Sequence, residues 1–123
     1  MTKMIKFFIG SLFFLASSFA FACDYPARPA IPDGSTANKE DLLAAKSSVQ
    51  EFIAAVDEYL TCIESAEKAA VADLDNPSPE ELQRRDEMLN AKFDAANEEK
   101  VLLGEQFNQQ IRAYNEKVKA NKE

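Results

Sequence analysis

The fold is decided at residues 75–81, which read Asp-Asn-Pro-Ser-Pro-Glu-Glu. An Asn-Pro pair favours the end of a helix, because the proline ring disfavours helical backbone at the residue before it. Ser78 is then a suitable N-cap for a second helix, Pro79 suits its first position, and Glu81 has the spacing that closes a capping box. A connection this short predicts two helices that pack in antiparallel order.

The segment before this junction has the pattern of a coiled coil. Residues 39–74 contain no Pro or Gly, and Asn38 with Asp41 has the spacing of a capping box. Apolar residues recur at alternating steps of three and four, which is the heptad spacing of a helix-helix seam. They are Leu42, Ala45, Val49, Phe52, Val56, Tyr59, Ile63, Ala66 and Ala70. The sequence therefore predicts a helix over about residues 39–74, with Ile53 and Leu60 widening its apolar stripe.

The segment after the junction predicts a second helix over about residues 79–120. Its apolar residues follow a less regular helical spacing. They are Leu82, Leu89, Phe93, Ala96, Leu103, Phe107, Ile111, Tyr114 and Val118. Antiparallel pairing places Val49 near Gly104 and Ile63 near Leu89. A glycine inside a helix costs about 1 kcal/mol relative to alanine, so we expect Gly104 to admit a close neighbour.

Residues 23–37 predict an extended strap rather than a helix. Their three prolines are spaced three apart and hold the backbone near polyproline geometry, and Asp33-Gly34 is a turn signal. Extended at ~3.1 Å per residue, the strap spans up to ~46 Å. The rise along the first helix to Cys62 is ~36 Å. A strap that folds back at Gly34 would therefore bring Cys23 to Cys62.

The two cysteines leave three interpretations open. A Cys23–Cys62 disulfide would close a loop of about 40 residues and contribute about 4 kcal/mol in the chain-entropy treatment. Acylation of Cys23 would instead make a lipoprotein and leave Cys62 free, and an intermolecular bridge would join two copies. A redox-active pair is not indicated, because the sequence contains no Cys-x-x-Cys.

Residues 1–22 have the layout of a bacterial secretory signal peptide. Lys3 and Lys6 form a basic start, an apolar run follows, and Ala20-Phe21-Ala22 is a small-x-small cleavage triplet. The apolar run is about 16 residues long, shorter than the ~20 that a membrane-spanning helix needs. We therefore expect cleavage near Ala22 and a periplasmic or secreted protein. Lipoprotein anchoring at Cys23 is the rival, although bulky Phe21 suits a lipoprotein signal poorly.

The strap and the second cysteine together form a recognisable pattern. It reads Cys-x-x-Pro-x-x-Pro-x-Ile-Pro-Asp-Gly, followed 30 to 40 residues later by Tyr-x-x-Cys. The matching residues are Cys23, Pro26, Pro29, Ile31, Pro32, Asp33, Gly34, Tyr59 and Cys62. Over roughly residues 23–64 the chain resembles small uncharacterised exported, periplasmic helical-hairpin proteins of Gram-negative bacteria. The resemblance implies export and shape, and it implies no particular chemistry.

Composition excludes several functional classes. The chain has 123 residues, 21 acidic and 14 basic side chains, a net charge of −7 and no histidine. That charge argues against nucleic-acid binding, and against membrane adhesion unless Cys23 is lipidated. We expect no metal or other cofactor, because histidine is missing and the Asp-x-Asp-x-Asn-Gly loop of calcium sites does not occur. We expect no enzymatic activity either, because the carboxylates fall on outer helix faces. These are Asp57, Glu58, Glu64, Glu67, Glu98 and Glu99.

The favoured interpretation is a structural or interaction protein of the cell envelope. Two helices alone make a thin core, which leaves an apolar face. Self-association into a homodimer or another envelope protein would cover this face, and the alternative is that the strap covers it in a monomer. Cys23 and Cys62 would form the covalent strap. The residues expected to carry packing and interaction are Phe52, Val56, Tyr59, Ile63, Leu89, Phe93, Leu103 and Phe107.

The alternative is a holdase-like chaperone or stress protein. Residues 60–64, Leu-Thr-Cys-Ile-Glu, approach the Leu-Thr-x-x-Gln motif of small helical periplasmic chaperones. Glu64 replaces the glutamine, and the match lies in the middle of a predicted helix rather than at a helix start. Client binding through aromatic residues such as Phe107 and Tyr114 would be the expected mechanism.

Overall fold

The computed structural model describes residues 23–123 and shows two long helices preceded by an extended segment. Helix α1 spans Lys39–Ala72 and helix α2 spans Pro79–Ala120. The prediction of an all-α helical hairpin is confirmed. The predicted leader and its cleavage site near Ala22 lie outside the described residues.

Helix α1 begins with the capping box that the sequence predicts. The Asn38 side-chain oxygen accepts a hydrogen bond from the Asp41 amide at 2.8 Å, and the Asp41 carboxylate accepts one from the Asn38 amide at 3.2 Å. Two backbone donors at the helix start are thereby satisfied.

The end of α1 was predicted too far along the chain. The helix ends at Ala72 instead of about Leu74, and the Asp73 amide donates back to the Ala69 carbonyl at 3.2 Å. Asn76 has a φ of 50°, a left-handed conformation that asparagine tolerates better than most residues. The reversal needs this residue, and the following proline disfavours helical backbone there, so the helix must stop before it.

Only one of the two hydrogen bonds of the predicted capping box forms at the start of helix α2. The Ser78 hydroxyl accepts a hydrogen bond from the Glu81 amide at 3.1 Å. The prediction that Glu81 closes the box is wrong, since its carboxylate lies 3.8 Å from Nε of Arg85, one helical turn further on. Lys117 and Lys119 in the last turn complement the negative end of the helix dipole.

Two ion pairs between the helices show their antiparallel register. Asp57 lies 2.6 Å from Lys100, and Glu67 lies 3.1 Å from Arg85. As the residue number rises along α1, that of its partner falls along α2. Asp57, expected on an outer helix face, is indeed exposed, whereas Glu67 is half-buried, and both pair with cations of α2. The alignment of the two helices brings Lys100 and Arg85 within reach of the α1 carboxylates. No local pattern in the sequence predicts these pairs.

The core lies along the seam between the helices. It is built from Val49, Phe52, Val56, Leu60, Ile63, Ala96 and Leu103. Val56 and Leu103 are each 0% exposed and occupy its centre. Gly104 does not serve a close approach, contrary to the prediction, since a methyl group there would meet nothing within 4 Å. The seam therefore passes through Leu103 and leaves its glycine neighbour at the edge.

Neither helix in residues 23–123 has a stretch that is both long and apolar enough to cross a membrane.

Candidate functional site

A disulfide closes the strap onto the C-terminal third of α1. Cys23 and Cys62 are bonded, their Cα atoms lie 5.8 Å apart, and they are separated by 39 residues. The strap reaches Cys62 because the chain reverses at residues 33–37, where the Ala37 amide donates to the Asp33 carbonyl at 2.8 Å. The predicted Cys23–Cys62 pairing is thus present in the structure.

Polar side chains of α2 hold the strap along its length. The Arg28 guanidinium pairs with the Glu99 carboxylate at 2.6 Å and also donates to the Gln106 side chain. The Gly34 amide donates to the Gln110 side chain at 2.9 Å. The strap therefore lies in the groove between the two helices rather than along α1 alone. Sequence reasoning missed these α2 partners and assigned Glu99 to a solvated face.

Tyr25 packs the strap against the aromatic residues of α1. Its ring centroid lies 5.0 Å from that of Tyr59 and 6.3 Å from that of Phe52, and both pairs are edge-to-face. Partial burial raises the pKa of the Tyr25 hydroxyl, and the neighbouring Glu99 carboxylate adds to the increase. This contact explains why Tyr59 is half-buried on the strap side of α1 rather than at the centre of the seam.

The turn at the end of the strap is tied to itself and to α2. The Asp33 carboxylate accepts hydrogen bonds from the Ser35 hydroxyl at 2.6 Å and the Ser35 amide at 2.9 Å, which lower the pKa of Asp33. The Lys117 ammonium donates to the Ala37 carbonyl and lies 5.0 Å from the centre of the Tyr114 ring. The turn is therefore fixed against the last turns of α2.

Gly34 is required at this turn for space. A Cβ atom there would overlap the Gln110 carbonyl oxygen, lie 2.7 Å from the carbonyl carbon and lie 3.0 Å from the Tyr114 amide nitrogen. No glycine of residues 23–123 has a positive φ, so the constraint is close approach to α2 rather than backbone conformation.

We expect Gly34→Ala to lower the free energy of unfolding by about 1–3 kcal/mol, because the added methyl group has no space beside α2. Gly104→Ala is the matched control and should raise it by about 0.5–1 kcal/mol, since it removes a helical glycine without a clash. Urea denaturation followed by circular dichroism measures both. Equal shifts of the two variants in the same direction would contradict the close approach at Gly34.

The eight predicted packing residues all belong to the core or pack against it. Phe52, Val56, Ile63 and Leu103 are buried, and the other four are half-buried. Those four are Tyr59, Leu89, Phe93 and Phe107. The set leaves out Val49, Leu60 and Ala96, which also belong to the core. All three lie on the apolar stripes that the sequence predicts for the two helices.

An apolar groove remains open near the strap turn. We call it the apolar groove. Its volume is about 340 Å³, and it is lined chiefly by Leu42, Leu43, Phe107, Ile111 and Tyr114. Leu43 is 54% exposed. At 3.6 residues per turn, Leu43 lies about 160° around α1 from Tyr59, so this groove is on the side away from the strap. The strap covers one side of the seam and leaves this side uncovered.

A second groove opens on the strap side, between Cys23 and the helix junction. It has a volume of about 570 Å³. We call it the cationic groove and define it by Ile63, Ala66 and Ala70 on α1 and by Arg84, Met88 and Lys92 on α2. Glu67 and Glu81 also line it, and both pair with Arg85, which lines it too. The groove therefore combines an apolar wall with a positively charged rim.

The described residues offer no assembled catalytic or metal centre. Within residues 23–123 no charged or polar side chain is buried, and no three acidic or cysteine side chains converge as metal ligands. The two clear pKa shifts, at Tyr25 and Asp33, follow from packing and from a turn. The features that remain in the described part of the chain are surface grooves, the two above among them, and a covalent staple.

Comparison of the chain with protein-family models, with curated proteins and with solved structures gives no match.

Proposed function

We propose that this protein is a non-enzymatic interaction protein of the cell envelope, a disulfide-stapled helical hairpin that associates through its apolar groove. The predicted leader and the cysteine pair support an exported location, where a disulfide can persist. The observation that carries the proposal is the uncovered side of the seam, where Leu43 is 54% exposed beside Phe107 and Ile111.

Self-association is the form of this proposal that the thin core favours. The strap covers only one side of the helix pair, and a second copy would cover the other side in a four-helix arrangement. The apolar groove is bordered by Lys39 and Lys46. The chain has a net charge of −7, and these two cations reduce the electrostatic repulsion between two copies at that face.

The test is the molecular mass in solution across a range of protein concentrations, by sedimentation or light scattering. We expect a dimer whose dissociation constant rises about tenfold or more in Leu43→Glu, because a charge replaces an apolar contact at the interface. Val101→Glu is the matched control, since Val101 is 60% exposed and does not line the apolar groove. A monomer at every concentration, or equal effects of both variants, would exclude self-association through this groove.

A holdase-like chaperone is the second candidate. Its support is that large apolar side chains are exposed at separate places, with Met88 at 59%, Val101 at 60% and Leu43 at 54%. This candidate expects the oxidised protein to slow aggregation of an unfolded client at low stoichiometry. Unchanged aggregation of several unrelated clients would exclude it and leave the interaction proposal in place.

A further inference from the structure

The groove between the helices already holds an extended peptide, the strap itself. The strap runs from Gly34, bonded to Gln110, to Cys23, bonded to Cys62. Beyond Cys23 the same two helices continue toward their junction and form the cationic groove. Along α2, from Arg84 to Lys92, this part measures about 12 Å. That length accommodates about four residues of extended chain.

Near the end of the strap, the side chains that α2 presents to the groove change from Glu99 to cations, while Glu67 and Glu81 in the open part pair with Arg85. Under the strap, Glu99 and Gln106 of α2 both bond to Arg28 of the strap. In the open part α2 presents Arg84 and Lys92. Within residues 23–123 the ion pairs engage other cations and leave these two outside them. An occupant of the open part therefore needs carboxylates where the strap carries a guanidinium.

The spacing of the α2 side chains specifies the occupant further. Arg84, Met88 and Lys92 are each four residues apart, so they form one ridge along the groove, and Met88 is 59% exposed between the two cations. Arg84 and Lys92 lie about 12 Å apart along the helix axis. Four residues of polyproline-like chain also span about 12 Å. A methionine side chain adapts readily to an apolar partner.

We propose that the cationic groove binds an extended peptide segment of another protein, in which two carboxylates four residues apart flank an apolar side chain. The carboxylates would meet Arg84 and Lys92, and the apolar side chain would lie on Met88 against Ala66. The chain's own residues 17–22, Ser-Ser-Phe-Ala-Phe-Ala, carry no charge and do not complement this rim. The proposal is independent of self-association, which uses the opposite side of the hairpin.

The experiment is a nuclear magnetic resonance titration of the oxidised protein with the capped peptide Glu-Pro-Leu-Pro-Glu at low ionic strength. We expect saturable shifts of backbone amides at residues 63–70 and 84–92, weakening as salt screens the charges. The matched peptide Lys-Pro-Leu-Pro-Lys should not bind at these residues.

Two double variants separate groove binding from a general charge effect. Arg84→Glu/Lys92→Glu should raise the dissociation constant for the acidic peptide about tenfold or more, because attraction becomes repulsion. Arg112→Glu/Lys122→Glu makes the same charge change at exposed positions outside the groove and should leave it unchanged. Circular dichroism verifies that both variants are folded.

Five results would overturn the proposal. With the acidic peptide, these are the absence of saturable shifts and shifts confined to the apolar groove. With other ligands, they are equal binding of the lysine peptide and, fourth, tighter binding of decanoate at the same amides. The fifth is the appearance of the same shifts when the protein concentration is raised without peptide. The fourth would assign the groove to an anionic amphiphile, and the fifth to a second copy of this chain.

Discussion

Replacing both cysteines, in Cys23→Ala/Cys62→Ala, is expected to lower the free energy of unfolding by about 4 kcal/mol. The bond joins residues separated by 39 positions, and without it the unfolded chain regains the conformational freedom of that loop. Domains of this size are stable by only about 5–15 kcal/mol, so this loss is a large share of the total. The strap keeps its contacts at Arg28 and Gly34, but it loses its covalent end.

Chemical denaturation of the oxidised wild type and the double variant measures the difference. Addition of reductant should bring the wild type to the stability of the variant and leave the variant itself unaffected. Amide hydrogen exchange should increase first at Tyr25 and its neighbours, because that end of the strap depends on the bond. A variant as stable as the oxidised wild type would show that the strap contacts alone are sufficient.

Leu103→Ala is expected to lower the free energy of unfolding by about 3 kcal/mol, within the usual range for a leucine in a packed core. Leu103 is 0% exposed and belongs to the same cluster as Val56, which is also fully buried. Truncation removes its contacts and leaves a cavity between helices that have only one layer of core side chains.

Its neighbour Leu102 supplies the control. Leu102 is 41% exposed, so Leu102→Ala makes the same chemical change outside the core and should cost well under half as much. Both variants are compared by thermal and urea unfolding of the oxidised protein. Similar losses in the two variants would mean that the seam does not pass through Leu103 as described.

The sequence predicts most of α1 because its signals are local. The heptad residues Leu42, Val49 and Val56 are buried, and the Asn38 box forms as expected. Each of these features depends on residues within a few turns of one another. The Asn-Pro pair correctly predicts that the helix stops before Asn76, but the apolar spacing does not show that it stops as early as Ala72.

The strap contacts with α2 could not be predicted in the same way. Arg28 meets Glu99 and Gln106 across more than 70 residues of sequence, and nothing near Gln106 distinguishes it from other surface glutamines. The role of Gly34 was assigned to a turn, whereas the structure adds a close approach to Gln110. These contacts depend on how the strap and the two helices align with one another. In a single sequence, only the apolar residues of the helix seam indicate that alignment.

The two grooves show the same limit. Nothing local in the sequence places Arg84 in a groove beside Cys23, since that position follows only from where the strap ends. The strap length and the position of Cys62 do predict that the strap ends at Cys62, but they do not predict a groove beyond it. The sequence also shows the i, i+4, i+8 spacing of Arg84, Met88 and Lys92. That spacing places the three side chains on one helix face, but it does not show that this face borders a groove.

The position of the disulfide also determines how the protein responds to tension. A pull applied at Cys23 and at the far end of α2 passes through the bond into the second half of α1. Residues 24–61 lie outside that path while the bond is intact. Reduction adds the 39-residue separation to the path, about 130 Å of extended chain. The redox state of this one bond therefore sets the greatest distance that the chain can span between those two points.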